Sequence, residues 1–94
     1  MTTFSDFFDV PQGETLTLYR QGMVISMALD GQPYSEFVLF RNVISVWQDV
    51  RDGAPTVEMT IRKRDERWFA KFKSAELQAQ VFHAILAHVT ASLD

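Results

Sequence analysis

The chain contains no cysteine, which removes disulfides, thiolate metal sites and thiol catalysis at once. Histidine is reduced to two residues, His83 and His88. Five positions apart on a helix, they point about 140° away from each other and cannot close on one metal from one face. Glycine and proline are scarce, 4 and 3 residues, and no glycine-rich phosphate loop can be assembled from them. Serines 5, 26, 35, 45, 74 and 92 stand in no nucleophile motif. The acid pairs Asp49 with Asp52 and Asp6 with Asp9 fall in turns or in the terminal segment, where aspartate serves turn hydrogen bonding. These absences lead us to expect neither an enzyme nor a cofactor. No apolar run approaches membrane-spanning length. The first nine residues carry acids where a signal peptide needs a basic region, so an unexported, cytoplasmic chain is expected.

What is present suits a small folded domain. Ninety-four residues, 47% hydrophobic and with 8 phenylalanines, can bury roughly 60 to 68% of their unfolded surface in one core without staples. A single domain over residues 1–94 is therefore expected. The net charge of −3 conceals an asymmetry. Residues 1–61 hold three bases against eight acids, whereas residues 62–73 hold six bases against Asp65 and Glu66.

Alternating apolar and polar residues predict an antiparallel set of strands over 14–73. Leu16 and Leu18 alternate with threonines, and Met23 to Leu29 resumes the pattern after Gln21-Gly22. Asp30-Gly31 is the strongest hairpin signal in the chain. Tyr34 to Phe40 and Asn42 to Val50 follow, either as separate strands or as one continuous across a bend near Arg41-Asn42. Asp52-Gly53-Ala54-Pro55 then turns into Thr56 to Lys63, which sets Val57, Met59 and Ile61 against Glu58, Thr60 and Arg62. Trp68, Ala70 and Phe72 alternate against Arg67, Phe69, Lys71 and Lys73, with a reversal at Asp65-Glu66. Residues 1–12 form a separate N-terminal segment, closed by Val10-Pro11-Gln12-Gly13, in which Phe4, Phe7 and Phe8 have helical spacing.

Ser74 stands where an N-cap belongs, and a helix over 75–93 is predicted, about 28 Å long. Leu77, Val81, Phe82, Ile85, Leu86, Val89 and Leu93 occupy the half expected to pack on the sheet. The other half carries Ala79, Gln80, His83, Ala84, Ala87, Thr90 and Ala91, and Glu76 is the only charge between Ser74 and Leu93.

Phe37-Val-Leu-Phe40 leading into Val43-Ile-Ser-Val46, and Val57-Glu-Met-Thr-Ile61 followed by Arg67-Trp-Phe-Ala-Lys-Phe72 and the terminal helix, resemble the middle strands, final strands and closing helix of the pleckstrin-homology-like superfamily, above all its small GRAM-like and bacterial variants. The resemblance implies an α+β fold, an antiparallel bent sheet or open barrel of about five to seven strands closed by one long C-terminal helix. It does not extend to phosphoinositide binding, because Gln21-Gly22 is short and uncharged where lipid-binding members present bases. Trp47 and Trp68 also lie on strands rather than in the closing helix.

Three surfaces are candidates for function. The basic hairpin, with Arg62, Arg64, Arg67 and Lys71, could meet a small anion, nucleic acid or an acidic protein surface, this chain's own acidic half included. An acidic chain lacks the usual footprint of nucleic-acid binding, so an acidic protein surface is the preferred reading. The outer helix face, Ala79, Gln80, His83, Ala87, Thr90 and Ala91, is short of charge for a solvated surface and suits a homodimer contact. Phe4, Phe7 and Phe8 are expected to fold back as a lid, with anchoring in a partner groove as the alternative. The functional expectation is a non-catalytic protein-interaction or self-association module.

Overall fold

The computed structural model describes residues 1–93. Its elements run β1 (Thr2–Ser5), β2 (Thr15–Leu18), β3 (Gly22–Leu29), β4 (Gln32–Leu39), a 3-10 turn (Phe40–Asn42), β5 (Val43–Arg51), β6 (Ala54–Ile61), β7 (Trp68–Lys71) and α1 (Ala75–Ala91). The strands form two antiparallel meanders, a four-stranded sheet in the order β1-β2-β3-β4 and a three-stranded sheet in the order β5-β6-β7. The fold class is thus α+β with two antiparallel sheets and one C-terminal helix.

Two-residue reversals make both long hairpins. Asp30 and Gly31 have φ of 51° and 77°, and Asp52 and Gly53 repeat this at 51° and 78°. This left-handed pair matches the strand twist, and aspartate followed by glycine adopts it at little cost. The resulting registers, Leu29 opposite Gln32 and Arg51 opposite Ala54, decide which residues share a face.

Leu16, Leu18, Met23, Ile25 and Val38 from the first sheet, Val57, Met59, Ile61 and Ala70 from the second, and Val81, Ile85 and Val89 from α1 are buried in one cluster, with Phe7, Phe40 and Phe72. Trp68 packs against this cluster while partly exposed. Ser74 caps α1 by accepting the Leu77 N–H at 3.2 Å.

The N-terminal segment differs from its helical spacing. Thr2–Ser5 is a strand paired with β2, Phe4 facing Leu16, because a free edge and two β-branched threonines outweigh a local periodicity of three residues. Asp6 then turns the chain at φ 55°. Phe7, expected as part of a lid or anchor, is fully buried and stacks on Phe72 with centroids 5.4 Å apart. A buried side chain cannot insert into a partner, so the anchor role fails for Phe7. Phe4 and Phe8 are partly buried against the same core.

The helix also departs in detail. Its buried stripe is Gln78, Val81, Ile85 and Val89, narrower than the expected half-circumference. Leu86 and Leu93 are exposed, at 38% and 78%, and Ala84, placed outward by periodicity, packs on the core. Gln78 belongs to the stripe because its side-chain amide donates to the carbonyls of Asp49 at 3.0 Å and Thr56 at 2.8 Å. Among the described residues no helix is long and apolar enough to cross a membrane.

Candidate functional site

The sheets diverge beside the 62–67 reversal, and the space between them is a cleft of about 620 Å³. Ile25, Met27 and Leu29 of β3 form one wall, and Phe8, Trp68 and Phe69 the other. A neighbouring hollow bordered by Val10, Gln12, Ala70 and Lys71 shares Phe8, Met27, Leu29 and Phe69 with it. The two form one apolar groove alongside β7.

The polar part of the cleft comes from β4 and the reversal. Met27 opposes Tyr34 and Ile25 opposes Glu36 in the β3–β4 register, so Tyr34 and Glu36 share the cleft-side face. Tyr34 donates its hydroxyl to Glu36 Oε2 at 3.2 Å, and Arg64 crosses from the second sheet to donate to the same oxygen at 3.0 Å. Partial burial, with the Glu36 charge adding to it, holds the Tyr34 hydroxyl above the ordinary phenol range.

The outer edge of β7 runs along this groove. Asp9 N–H donates to Lys71 O and Lys73 N–H to Phe7 O, each at 3.0 Å. In an antiparallel ladder both polar groups of a residue face the same side, so odd-numbered residues of β7 face away from β6. Phe69 is one of them, and its backbone N–H and C=O find no partner among the described residues. The edge is therefore paired at its C-terminal end and open beside the cleft.

On the outer face of the second sheet Trp47, Glu58 and Phe69 form one row across β5, β6 and β7. Glu58 is fully buried. Arg51 donates to both of its oxygens, from Nη2 at 3.0 Å and Nε at 3.2 Å, Arg67 donates at 3.3 Å, and the Thr56 hydroxyl at 2.9 Å. Each guanidinium crosses the sheet to an aromatic ring, Arg51 over Phe69 at 4.1 Å and Arg67 over Trp47 at 5.3 Å. The Arg51 hydrogen bonds, joined by those of Thr56 and Arg67, outweigh burial and hold the Glu58 carboxyl below its ordinary range. Glu14 is the other fully buried acid. Burial pushes its carboxyl up, but the N–H groups of Phe8 at 2.7 Å and Gln12 at 2.9 Å prevail, and the net is downward.

The four basic candidates are dispersed. Arg64 is paired with Glu36, Arg67 with Glu58, and Lys71 with Asp52 at 2.6 Å. Arg62 is exposed and makes no ion pair among the described residues. Three of the hairpin's six bases are thus met by carboxylates of the chain itself. On α1, Gln80, His83, Ala87, Thr90 and Ala91 are exposed and Ala79 is half-buried. Thr90 returns its hydroxyl to Leu86 O at 2.7 Å, leaving that face few outward donors.

Sequence reasoning missed the cleft, whose walls come from segments twenty to sixty positions apart, and it missed Glu58 by assigning it to a solvated phase. Among the described residues no group of three or more His, Cys, Asp or Glu side chains could hold a metal ion. No family model, curated protein or solved structure matches the chain.

Proposed function

We propose that this chain is a non-catalytic protein-interaction module, and that its cleft receives an extended peptide segment of a partner. The observation that supports this most is the coincidence of an apolar groove with an open strand edge. Phe8, Met27, Leu29 and Phe69 offer pockets for alternate side chains of an added strand, while the free N–H and C=O of Phe69 offer its backbone a ladder. Arg64 and Tyr34, both held on Glu36, supply a polar contact at one end. The arrangement of four and three antiparallel strands with a terminal helix also supports reading the fold as pleckstrin-homology-like. The anion-binding reading of the basic hairpin loses support, since three of its four candidate bases already hold carboxylates.

Selection of random linear peptides against the chain, followed by amide NMR titration, tests the proposal. Binders should shift the amides of Phe69, Lys71, Met27 and Leu29, and Met27→Lys should abolish binding. Proline placed at alternate peptide positions should also abolish it, because a ladder needs the peptide N–H groups. Failure to select any binder, or shifts confined to the outer helix face, would remove the cleft from the function.

A further inference from the structure

The outer face of the first sheet bears no charged side chain. Registers fix its members as Thr3 and Ser5 of β1, Thr15 and Thr17 of β2, Gly22, Val24, Ser26 and Ala28 of β3, and Pro33, Ser35, Phe37 and Leu39 of β4. Their neighbours in sequence, Leu16, Leu18, Met23, Ile25 and Val38, point into the core, so these residues point away from it. Four of its six hydroxyls pair with one another, Thr3 with Thr17 at 3.1 Å and Ser26 with Ser35 at 2.9 Å. Phe37, 52% exposed, lies over Gly22, where a Cβ would stand 2.7 Å from its ring. Lying over the glycine, the ring stays close to the sheet surface.

Charges sit at the two ends of the face instead. Arg20 and Arg41 flank one end and border a common hollow; Asp6, which follows β1, and Asp30, in the β3–β4 turn, flank the opposite end. All four are exposed, and none is in an ion pair among the described residues.

We infer that this face binds a second copy of the chain, sheet against sheet, about a two-fold axis that lies in the interface and runs across the strands. Such an axis lays the Arg20–Arg41 end of one copy over the Asp6–Asp30 end of the other, at both rims. An axis along the strands would instead oppose arginine to arginine. The neutral centre needs no complementary pattern in its partner, and an identical neutral face satisfies it. Two strands of eight residues and two of four, spaced ~4.8 Å apart with a rise of ~3.4 Å per residue, present roughly 400 Å² in projection. This is about half the ~800 Å² per partner of a standard interface, and side-chain relief and the charged rims add to it. The expected product is a dimer at the small end of the stable range.

This surface is separate from the cleft, so the two proposals fail separately. Sedimentation equilibrium of the full chain should show a monomer–dimer equilibrium at roughly micromolar concentrations. Thr17→Lys combined with Ser26→Lys would bury unpaired charges at the centre and should raise the dissociation constant on the order of a hundredfold. The variant should still unfold cooperatively and still take any peptide in the cleft. Arg20→Gln with Arg41→Gln should weaken the dimer several-fold, as should Asp6→Asn with Asp30→Asn, and the two pairs combined should cost less than the sum of the separate effects. A chain that stays monomeric to millimolar concentration overturns the inference. So does a dimer indifferent to the two lysines, or one dissociated instead by Ala87→Glu with Ala91→Glu. Tightening on removal of the arginines overturns the choice of axis.

Discussion

The outer faces of the two sheets meet water in opposite ways. The first sheet presents hydroxyls, small apolar groups and one flat ring with no charge. The second presents Asp49, Arg51, Glu58, Arg67 and Lys71 around Trp47 and Phe69. Both sheets bury the same kind of inner face against the same core, so the difference is not imposed by folding. A neutral sheet face remains able to pack on another sheet, whereas a face whose arginines are clamped on a buried carboxylate resists such packing.

The largest expected effect sharpens this comparison by striking what the two sheets share. Ile85 is fully buried in the core they share, and Ile85→Ala should cost about 2 to 5 kcal/mol through lost transfer and an unfilled cavity. Because the cluster is common, amide exchange should accelerate in both sheets together. Acceleration confined to β5–β7 would show that the helix stabilises only the sheet it lies on. Next in size is Gly22→Ala, which acts on the first sheet alone. The new Cβ would lie 2.5 Å from Val38 O and 2.7 Å from the Phe37 ring. A backbone atom cannot yield as a side chain does, so about 1 to 3 kcal/mol of destabilisation is expected. A thermal melt unchanged by this substitution would mean that Phe37 does not lie on the glycine.

Glu58→Gln acts on the second sheet alone. The amide keeps the shape of the side chain but gives up the charge that Arg51 and Arg67 share. Both guanidiniums are partly exposed, which moderates the loss to about 1 to 2 kcal/mol at neutral pH. The pH dependence follows from the sign of the shift. The folded Glu58 carboxyl lies below the ordinary value of 4.5, so its contribution is complete above that value and fades as pH falls through the folded one. The native chain should thus lose stability in acid more steeply than Glu58→Gln, with the two curves converging at the lowest pH. Parallel curves would show that Glu58 is not held ionised by its neighbours.

Period two and the two Asp-Gly turns made the strands of both sheets legible, because one hydrogen-bonded turn fixes the register of a whole hairpin. The helix start was legible in Ser74. The N-terminal strand was not, since Phe4, Phe7 and Phe8 fit a helical spacing and only the partner edge of β2 decides otherwise. Glu58 was illegible for a related reason. Alternation assigns a side of the sheet, but burial on that side depends on Trp47 and Phe69, contributed by two other strands, and on arginines that reach across them. The basic hairpin was legible as a run of charge, but the pairing of Arg64, Arg67 and Lys71 with Glu36, Glu58 and Asp52 was not, because it is a property of the assembled sheets.

The smallest expected effect separates distance from burial within the charged face. Lys71 and Asp52 form the shortest ion pair described, 2.6 Å, yet the aspartate side chain is 83% exposed. Water solvates such a carboxylate nearly as well without its partner, and the long lysine gives up rotamer freedom to hold the contact. Its hydrogen bond with Lys71 draws the Asp52 carboxyl below its ordinary range, so whatever it contributes is present at neutral pH and fades in acid. Asp52→Asn retains a residue that tolerates the local φ of 51° and removes only the charge. Its denaturation midpoint should stay within experimental scatter of the parent, with or without about half-molar salt to screen the pair. Glu58→Gln, on the same face and with longer contacts, should move the midpoint clearly. If Asp52→Asn proved as costly as Glu58→Gln, exposure would not rank these pairs, and the charged face would owe its rigidity to its rim rather than to its buried centre.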